Sequence, residues 1–382
     1  MQSSKTPLTY TFTTLDAPNA TLTTPTAINN AGEVAGYDGG MVPEHPGNVF
    51  SAFIYDNGIF TTINPPDATY AQAFGINDRG SVVGEYYGVG TNAQGFMYDH
   101  GAFTTIAVPN ATFTQAMGIN NKDEIAGIYY FNNQQSYGFI DNDGTFTTID
   151  PPGSTYVIVS GINNHGQVVG YDVGGPPGYF VYDHGTYTYI VPPGGDIFTQ
   201  NQAVGSINNK GEVVGSHLSN SVELGFLYDK GRFTTIAVPG AVATNAIALN
   251  DRGEVVGFYS DSSGVSYGFV DEHGTFITLD APGATSTIPL GINDLGEVFG
   301  YYDDATGEHG FIATPSGGSG HLGSYLMREA SGLGLHDFAP TRADHAARPA
   351  GGSGSSPPFA GGYFDALASI GQAHTIPPGH IG

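Results

Sequence analysis

Seven positions along the chain carry side chains able to do chemistry at one place: Asp38, Tyr86, Tyr129, Asp172, His217, Tyr259 and Tyr302. Each stands two residues beyond a recurring glycine, and each is a carboxylate, an imidazole or a phenol. Tyr70, Phe113, Tyr156 and Phe198 add aromatic faces at a second recurring position. Phenol rings can cover the apolar faces of a sugar or fill the space between packed sheets, and carboxylates with an imidazole can exchange protons. The sequence supports three uses of such a set. The leading expectation is a non-enzymatic recognition surface for a carbohydrate or a protein. The second is a hydrolase or lyase acting on a carbohydrate through Asp38, Asp172 and His217. The third is a structural spacer that displays the C-terminal tail.

Other candidate chemistry has simpler explanations. Glu33, Asp78, Glu124, Glu212, Glu254 and Glu297 lie in or beside repeated turns, where Asp and Asn cap the backbone. Asp141-Asn142-Asp143-Gly144 opens like a calcium loop but lacks the later Glu such a loop needs. His100, His184 and His273 fall at equivalent turn positions of separate repeats, too far apart to share a metal at about 2 Å. No Gly-x-Ser-x-Gly elbow, phosphate-binding Gly loop or Cys is present. No metal site or cofactor is expected, although the negative charge would favour a channel-bound cation such as calcium.

The positioning elements follow from repetition. Asn29, Asn77, Asn120, Asn163, Asn208, Asn250 and Asn293 recur 42 to 48 residues apart, each followed by the glycine at 36, 84, 127, 170, 215, 257 or 300. Tyr10-Thr11-Phe12-Thr13-Thr14-Leu15 alternates as a half-buried strand does, and its copies begin at Phe60, Phe103, Phe146, Tyr187, Phe233 and Phe276. Pro followed by Asn, Asp or Gly then turns the chain into a second strand that ends at the anchoring Asn. Asn77-Asp78-Arg79-Gly80 reads as a tight hairpin with a bulge at its Gly, and Ala27, Gly75, Gly118, Gly161, Ser206, Ala248 and Gly291 imply close approach of another backbone. Val82-Val83 and its equivalents put apolar groups on both faces of the next strand, and Phe53, Phe96, Phe139, Phe180, Phe226, Phe269 and Phe311 mark the last.

Four short antiparallel strands per repeat, with a period in the low forties, describe a propeller blade. The expected fold is all-β: a seven-bladed β-propeller over residues 7–315, closed when the N-terminal strand at 10–16 completes the last blade beside 310–314. Residues 316–382, rich in Gly, Ser and Pro, are expected to form a flexible tail.

The repeated Ile-Asn-Asn/Asp-x-Gly-Glu-Val-Val-Gly followed by the Phe strand resembles the HAF-type repeats of predicted bacterial extracellular proteins, over about residues 7–315. Ser51-Ala52-Phe53 and His309-Gly310-Phe311 approach the name-giving His-Ala-Phe, and most copies read Gly-Phe. The resemblance implies a propeller-like fold and an extracellular or cell-surface location, and it brings no catalytic residues.

Composition narrows the partners. Gly 58 and Pro 24 favour short strands and turns, and 35 acidic against 10 basic residues give a net charge of -25. Such a surface repels phosphate backbones and anionic membranes, so nucleic acid and membrane insertion are not expected. A monomer is expected, and the start of the chain lacks the apolar core of a signal peptide. Function should lie where copies differ, in the connections 37–49, 86–94, 129–137, 171–177, 218–224, 260–267 and 303–309, beginning at Glu85-Tyr86-Tyr87.

Overall fold

The structure, a computed structural model, describes residues 8–41, 48–88, 92–131, 135–173, 178–194 and 205–317. The chain divides into two compact units, Tyr10–Pro315 and a second made of Met1–Thr9 with Ser316–Gly382. In the second unit Thr9 Oγ1 donates to the Ser316 carbonyl at 3.2 Å. The tail expected over 316–382 lies, beyond Gly317, outside the described residues.

Within Tyr10–Pro315 every described regular element is a strand. Ala68–Ile76, Val82–Gly88, Gln94–Asp99 and Ala102–Ile106 form one four-stranded sheet in chain order, each strand antiparallel to the next. The same plan is repeated around Val34–Met41, Ile125–Phe131, Val168–Val173, Val213–Ser219 and Val255–Ser260. The Ile125 and Val168 sheets are also joined by one parallel pair, Ser136 with Tyr156. The sheet of Ser286–Ile292, Val298–Asp303 and Glu308–Ser316 takes its fourth strand, Thr9–Leu15, from the other end of the sequence. Phe12 packs on Phe311 with ring centroids 5.2 Å apart, and Thr14 Oγ1 meets Tyr302 Oη at 2.9 Å.

The paired apolar residues explain why the sheets stack. Val82 and Val83 are both fully buried, as are Val168 with Val169 and Val213 with Val214. One member of each pair enters the gap on either side of its sheet. Val83 packs with Ala116, Ile119 and Phe139 of the following sheet, while Val82 packs with Ala35 and Ala52 of the preceding one. Leu15, Val34 and Ile312 form an equivalent cluster between the last sheet and the first. The core is thus a series of inter-sheet layers, each buried side chain contributing roughly 1.5–3 kcal/mol before entropy.

At the turn Asn77 N–H donates to the Ser81 carbonyl and Gly80 N–H to the Asn77 carbonyl, both at 3.0 Å, the pattern of a hairpin bulged at its Gly. A second irregularity, not foreseen, lies inside the first strand between Ala73 and Gly75, and recurs at Pro25/Ala27, Ala116/Gly118, Val159/Gly161, Ala246/Ala248 and Pro289/Gly291. Opposite it stands the recurring glycine, because a Cβ on Gly84 would sit 1.9 Å from the Gln72 carbonyl oxygen. The turn does hold its Gly in the left-handed region, with φ +79° at Gly80 and φ +62° at the substituting Asp123. Gly75 is required for the expected reason, since its Cβ would approach Gly118 Cα to 3.1 Å.

Candidate functional site

The Asn turns converge, and they spend their polar groups on one another. Asn77 Oδ1 accepts the N–H groups of Arg79 and Ser81 at 3.0 Å, closing its own turn. The Nδ2 atoms of Asn29, Asn77, Asn120, Asn163, Asn208 and Asn250 each donate to the backbone carbonyl of the next anchoring Asn at 2.9–3.1 Å. Asn293 donates to Asn29 at 3.0 Å, so the series returns to its start. The remaining N–H of most of these amides goes to Glu33, Glu124, Gln167, Glu212, Glu254 or Glu297, which accounts for the repeated acids.

A second cycle lies beside the first. The backbone N–H groups of Asn30, Asp78, Asn121, Asn164, Asn209, Asp251 and Asp294 each donate to the Oδ1 of the next member at 2.7–2.9 Å. These residues line a shallow depression of about 180 Å³. Asn30 Nδ2 bridges the carboxylates of Asp78 and Asp294. Among the described residues, no group of three or more His, Cys, Asp or Glu side chains is placed to hold a metal ion. Turn chemistry alone missed this convergence, although the near-invariance of Asn-Asn/Asp across the repeats exceeds what a turn demands.

Asn77 is therefore more than a turn cap. It is 2% exposed and makes four side-chain hydrogen bonds, two of them to the neighbouring sheet at Asn120 and Asp123. Asn77→Ala should cost about 3 kcal/mol rather than the ~1 kcal/mol of a lone cap, because the buried partners are left unsatisfied. Urea unfolding of the variant measures this directly.

The residues Asp38, Tyr86, Tyr129, Asp172, His217, Tyr259 and Tyr302 occupy equivalent places toward the far ends of the second strands, one in each repeat. The phenols reach across their own sheets to the outermost strand: Tyr86 to Thr105 at 3.1 Å, Tyr129 to Thr148 at 3.0 Å, Tyr259 to Thr278 at 3.2 Å and Tyr302 to Thr14. Asp38, Asp172 and His217 lie on three different sheets, and among the described residues no hydrogen bond or ion pair links them. Burial raises both Asp carboxyls and depresses the His217 imidazole. Phe198 lies outside the described residues, as do 42–47, 89–91, 132–134 and 174–177 of the variable connections.

Cross-strand pairing gives this ring another use. Tyr129 stacks on Tyr137 at 5.3 Å and 21°, Tyr259 on Tyr267 at 5.5 Å and 29°, and Tyr302 on His309 at 5.2 Å and 27°. Phe131, 40% exposed, stands beside the first pair. Because each phenol is tied to a threonine, its ring is held in a fixed orientation. His309 is held by Asp16 at 2.9 Å and faces Asp304. Burial alone would depress its imidazole, but the two carboxylates outweigh it and raise the pKa.

Tyr70 lies on the sheet face of Glu85, while Phe113 and Tyr156 gather around Tyr130. Register places Glu85 opposite Gln72 and Tyr87 opposite Tyr70, so the four share one face of the sheet. Tyr70 and Tyr87 meet edge to face at 5.1 Å, Phe113 packs on Tyr130 at 5.0 Å, and Tyr130 and Tyr156 bring their hydroxyls within 3.1 Å. Glu85 is 5% exposed and Gln72 4%; Glu85 Oε2 and Gln72 Oε1 are buried without a hydrogen-bond partner. Burial pushes the Glu85 carboxyl up to about 8, and burial, with a smaller contribution from the Glu85 charge, raises Tyr70, Tyr87 and Tyr130.

No protein-family model and no curated protein matches the chain. Solved structures do. The β-propeller domain of the trilobed protease from Pyrococcus furiosus aligns with a TM-score of 0.55 at 10% identity, covering 78% of this chain and 96% of that one. The chain is a β-propeller. A prolyl endopeptidase aligns with a TM-score of 0.49 at 13% identity, over 72% of this chain and 45% of that one. The SapL1 lectin, solved with alpha methyl fucoside, gives 0.37 at 12% identity, over 67% and 94%.

In propeller terms the sheets are blades, and the two rims differ in kind. One rim is the Asn lattice, whose polar groups are largely consumed in holding blades together. The opposite rim carries the stacked aromatic pairs and the described connections 218–224, 260–267 and 303–309, with the buried Glu85 behind them. Among the described residues no helix is long and apolar enough to cross a membrane.

The buried acid makes a pH prediction. Glu85 keeps its proton in the folded protein up to about 8, whereas the unfolded chain releases it near 4.5. Between those values the unfolded state binds fewer protons, so Glu85 lowers stability progressively as pH rises and exerts its full penalty above 8. Glu85→Gln should therefore gain on the natural protein by up to about 1.4 kcal/mol per pH unit across that window, then plateau. Paired urea melts at several pH values check the slope.

Proposed function

We propose that the propeller closes seven blades into a ring and serves as a non-enzymatic binding protein, taking a carbohydrate at its variable rim. Two features support the closed ring: the Asn29-to-Asn293 bonds that return to their start, and the N-terminal strand that pairs into the last sheet. The observation that carries the ligand class is the threefold recurrence of a stacked aromatic pair at one repeat position. Tyr129 and Tyr302 are buried, so the faces on offer are those of the half-buried Tyr137, Tyr259, Tyr267 and His309; flat, immobilised rings of this kind cover the apolar faces of sugars at little entropic cost. A protein partner would use the same rings as anchors. The HAF-type resemblance favours an extracellular setting, where glycans are abundant.

A glycan array probed with the full chain tests this. Retention of one sugar class should fall at least tenfold, about 1.4 kcal/mol, when Tyr137→Ala and Tyr267→Ala are combined. Unchanged retention by a folded double variant would remove the aromatic pairs from the site. Retention of proteins but of no sugar would transfer the rim to the protein-binding alternative.

A further inference from the structure

Glu85 departs from its repeat. The equivalent positions hold Tyr37, Ile128, Tyr171, Ser216, Phe258 and Tyr301, so blade construction has no need of an acid there. A carboxyl buried among tyrosines without a partner weakens the fold, and such groups in clefts are characteristic of functional sites. Its surroundings state what is missing. Glu85 Oε2 and its cross-strand neighbour Gln72 Oε1 are both acceptors in need of donors. Tyr70 and Tyr87, both half-buried, continue the same face outward from them.

The opposite wall of the gap is aromatic too. Val83, on the same face as Glu85, packs in one cluster with Tyr129 and Tyr137 of the next blade. The acid and one of the stacked pairs therefore border one inter-blade gap. A group that brings only donors, carries positive charge and gains from aromatic faces is an ammonium. Burial keeps Glu85 neutral when nothing is bound, and an ammonium would compensate the charge that appears when it gives up its proton, which a neutral hydroxyl would not. The net charge of -25 adds a long-range attraction for cations.

We propose that Glu85 and Gln72 bind the ammonium group of an amine-bearing sugar in the gap between the Val82 and Ile125 blades. The proposal rests on the carbohydrate-binding function above and specifies its ligand. The test is calorimetric titration with glucosamine tetrasaccharide and with its fully N-acetylated counterpart. The amine form should bind at least tenfold more tightly. Glu85→Gln, which keeps the side-chain size, should abolish that preference, so that the two sugars bind with equal affinity. Gln72→Met, removing the second acceptor, should reduce the preference severalfold. Equal affinity for the two sugars, stronger binding of the N-acetylated one, or a preference that survives in folded Glu85→Gln would overturn the ammonium site and leave carbohydrate binding standing. If neither tetrasaccharide binds while other glycans are retained, the ammonium site is likewise excluded. If no glycan at all is retained, carbohydrate binding itself fails, and the ammonium site with it.

Discussion

Removal of residues 1–18 will lower the melting temperature by roughly 10 °C or more and convert the protein to oligomers. The deletion takes away the strand Thr9–Leu15, which supplies the fourth strand of the last sheet. It exposes Phe311, now fully buried against Phe12, and removes Leu15, itself fully buried beside Val34 and Ile312. Losing the burial of Tyr10, Phe12 and Leu15 costs on the order of 5 kcal/mol, which for a domain of this size translates into the stated shift. The strand Glu308–Ser316 is left with an unpaired edge, and open edges recruit other chains. Differential scanning calorimetry with size-exclusion chromatography reads both effects. A monomer that melts like the full chain would contradict closure by the N-terminal strand.

Val83→Asp will cost about 4 kcal/mol or more and will act on two blades. Val83 is fully buried and touches the following sheet through Ala116, Ile119 and Phe139. A carboxylate there finds no partner in an apolar layer and must be protonated or carry the layer apart. Hydrogen exchange should show lost protection in Val82–Gly88 and Phe113–Ile119 before the distant blades. Ile59→Asp is the matched control: Ile59 is 67% exposed on an outermost strand, and its substitution should change stability by less than about 0.5 kcal/mol. Equal losses at the two positions would contradict the layered core.

The strands, their order and the completion of the last sheet by Thr9–Leu15 were legible in the sequence, because alternation at Phe103-Thr104-Thr105 and paired valines at 82 and 83 are local signals. The Asn lattice was not. Asn77 satisfies a turn four residues long and also reaches Asn120, and only the first role leaves a local trace. The register shift at Ala73/Gly75 was hidden for a related reason: the glycine that requires it, Gly84, sits on the partner strand. The spacing from Gly127 marked Tyr129 as a recurring phenol, yet it could not show that its hydroxyl runs outward to Thr148. Glu85 did carry a signal, an acid among aromatic and apolar copies, and it was legible only as the place where the repeat stops.

The division of labour between the two rims is the central claim, and paired variants on one glycan panel test it most directly. Tyr137→Ala with Tyr267→Ala alters the variable rim, while Asn121→Ala with Asn164→Ala alters the depression at the opposite rim. With both proteins folded at the assay temperature, sugar retention should disappear in the tyrosine variant and persist in the asparagine variant. Loss of retention in the asparagine variant alone would place the binding site in the Asn-lined depression and contradict the account.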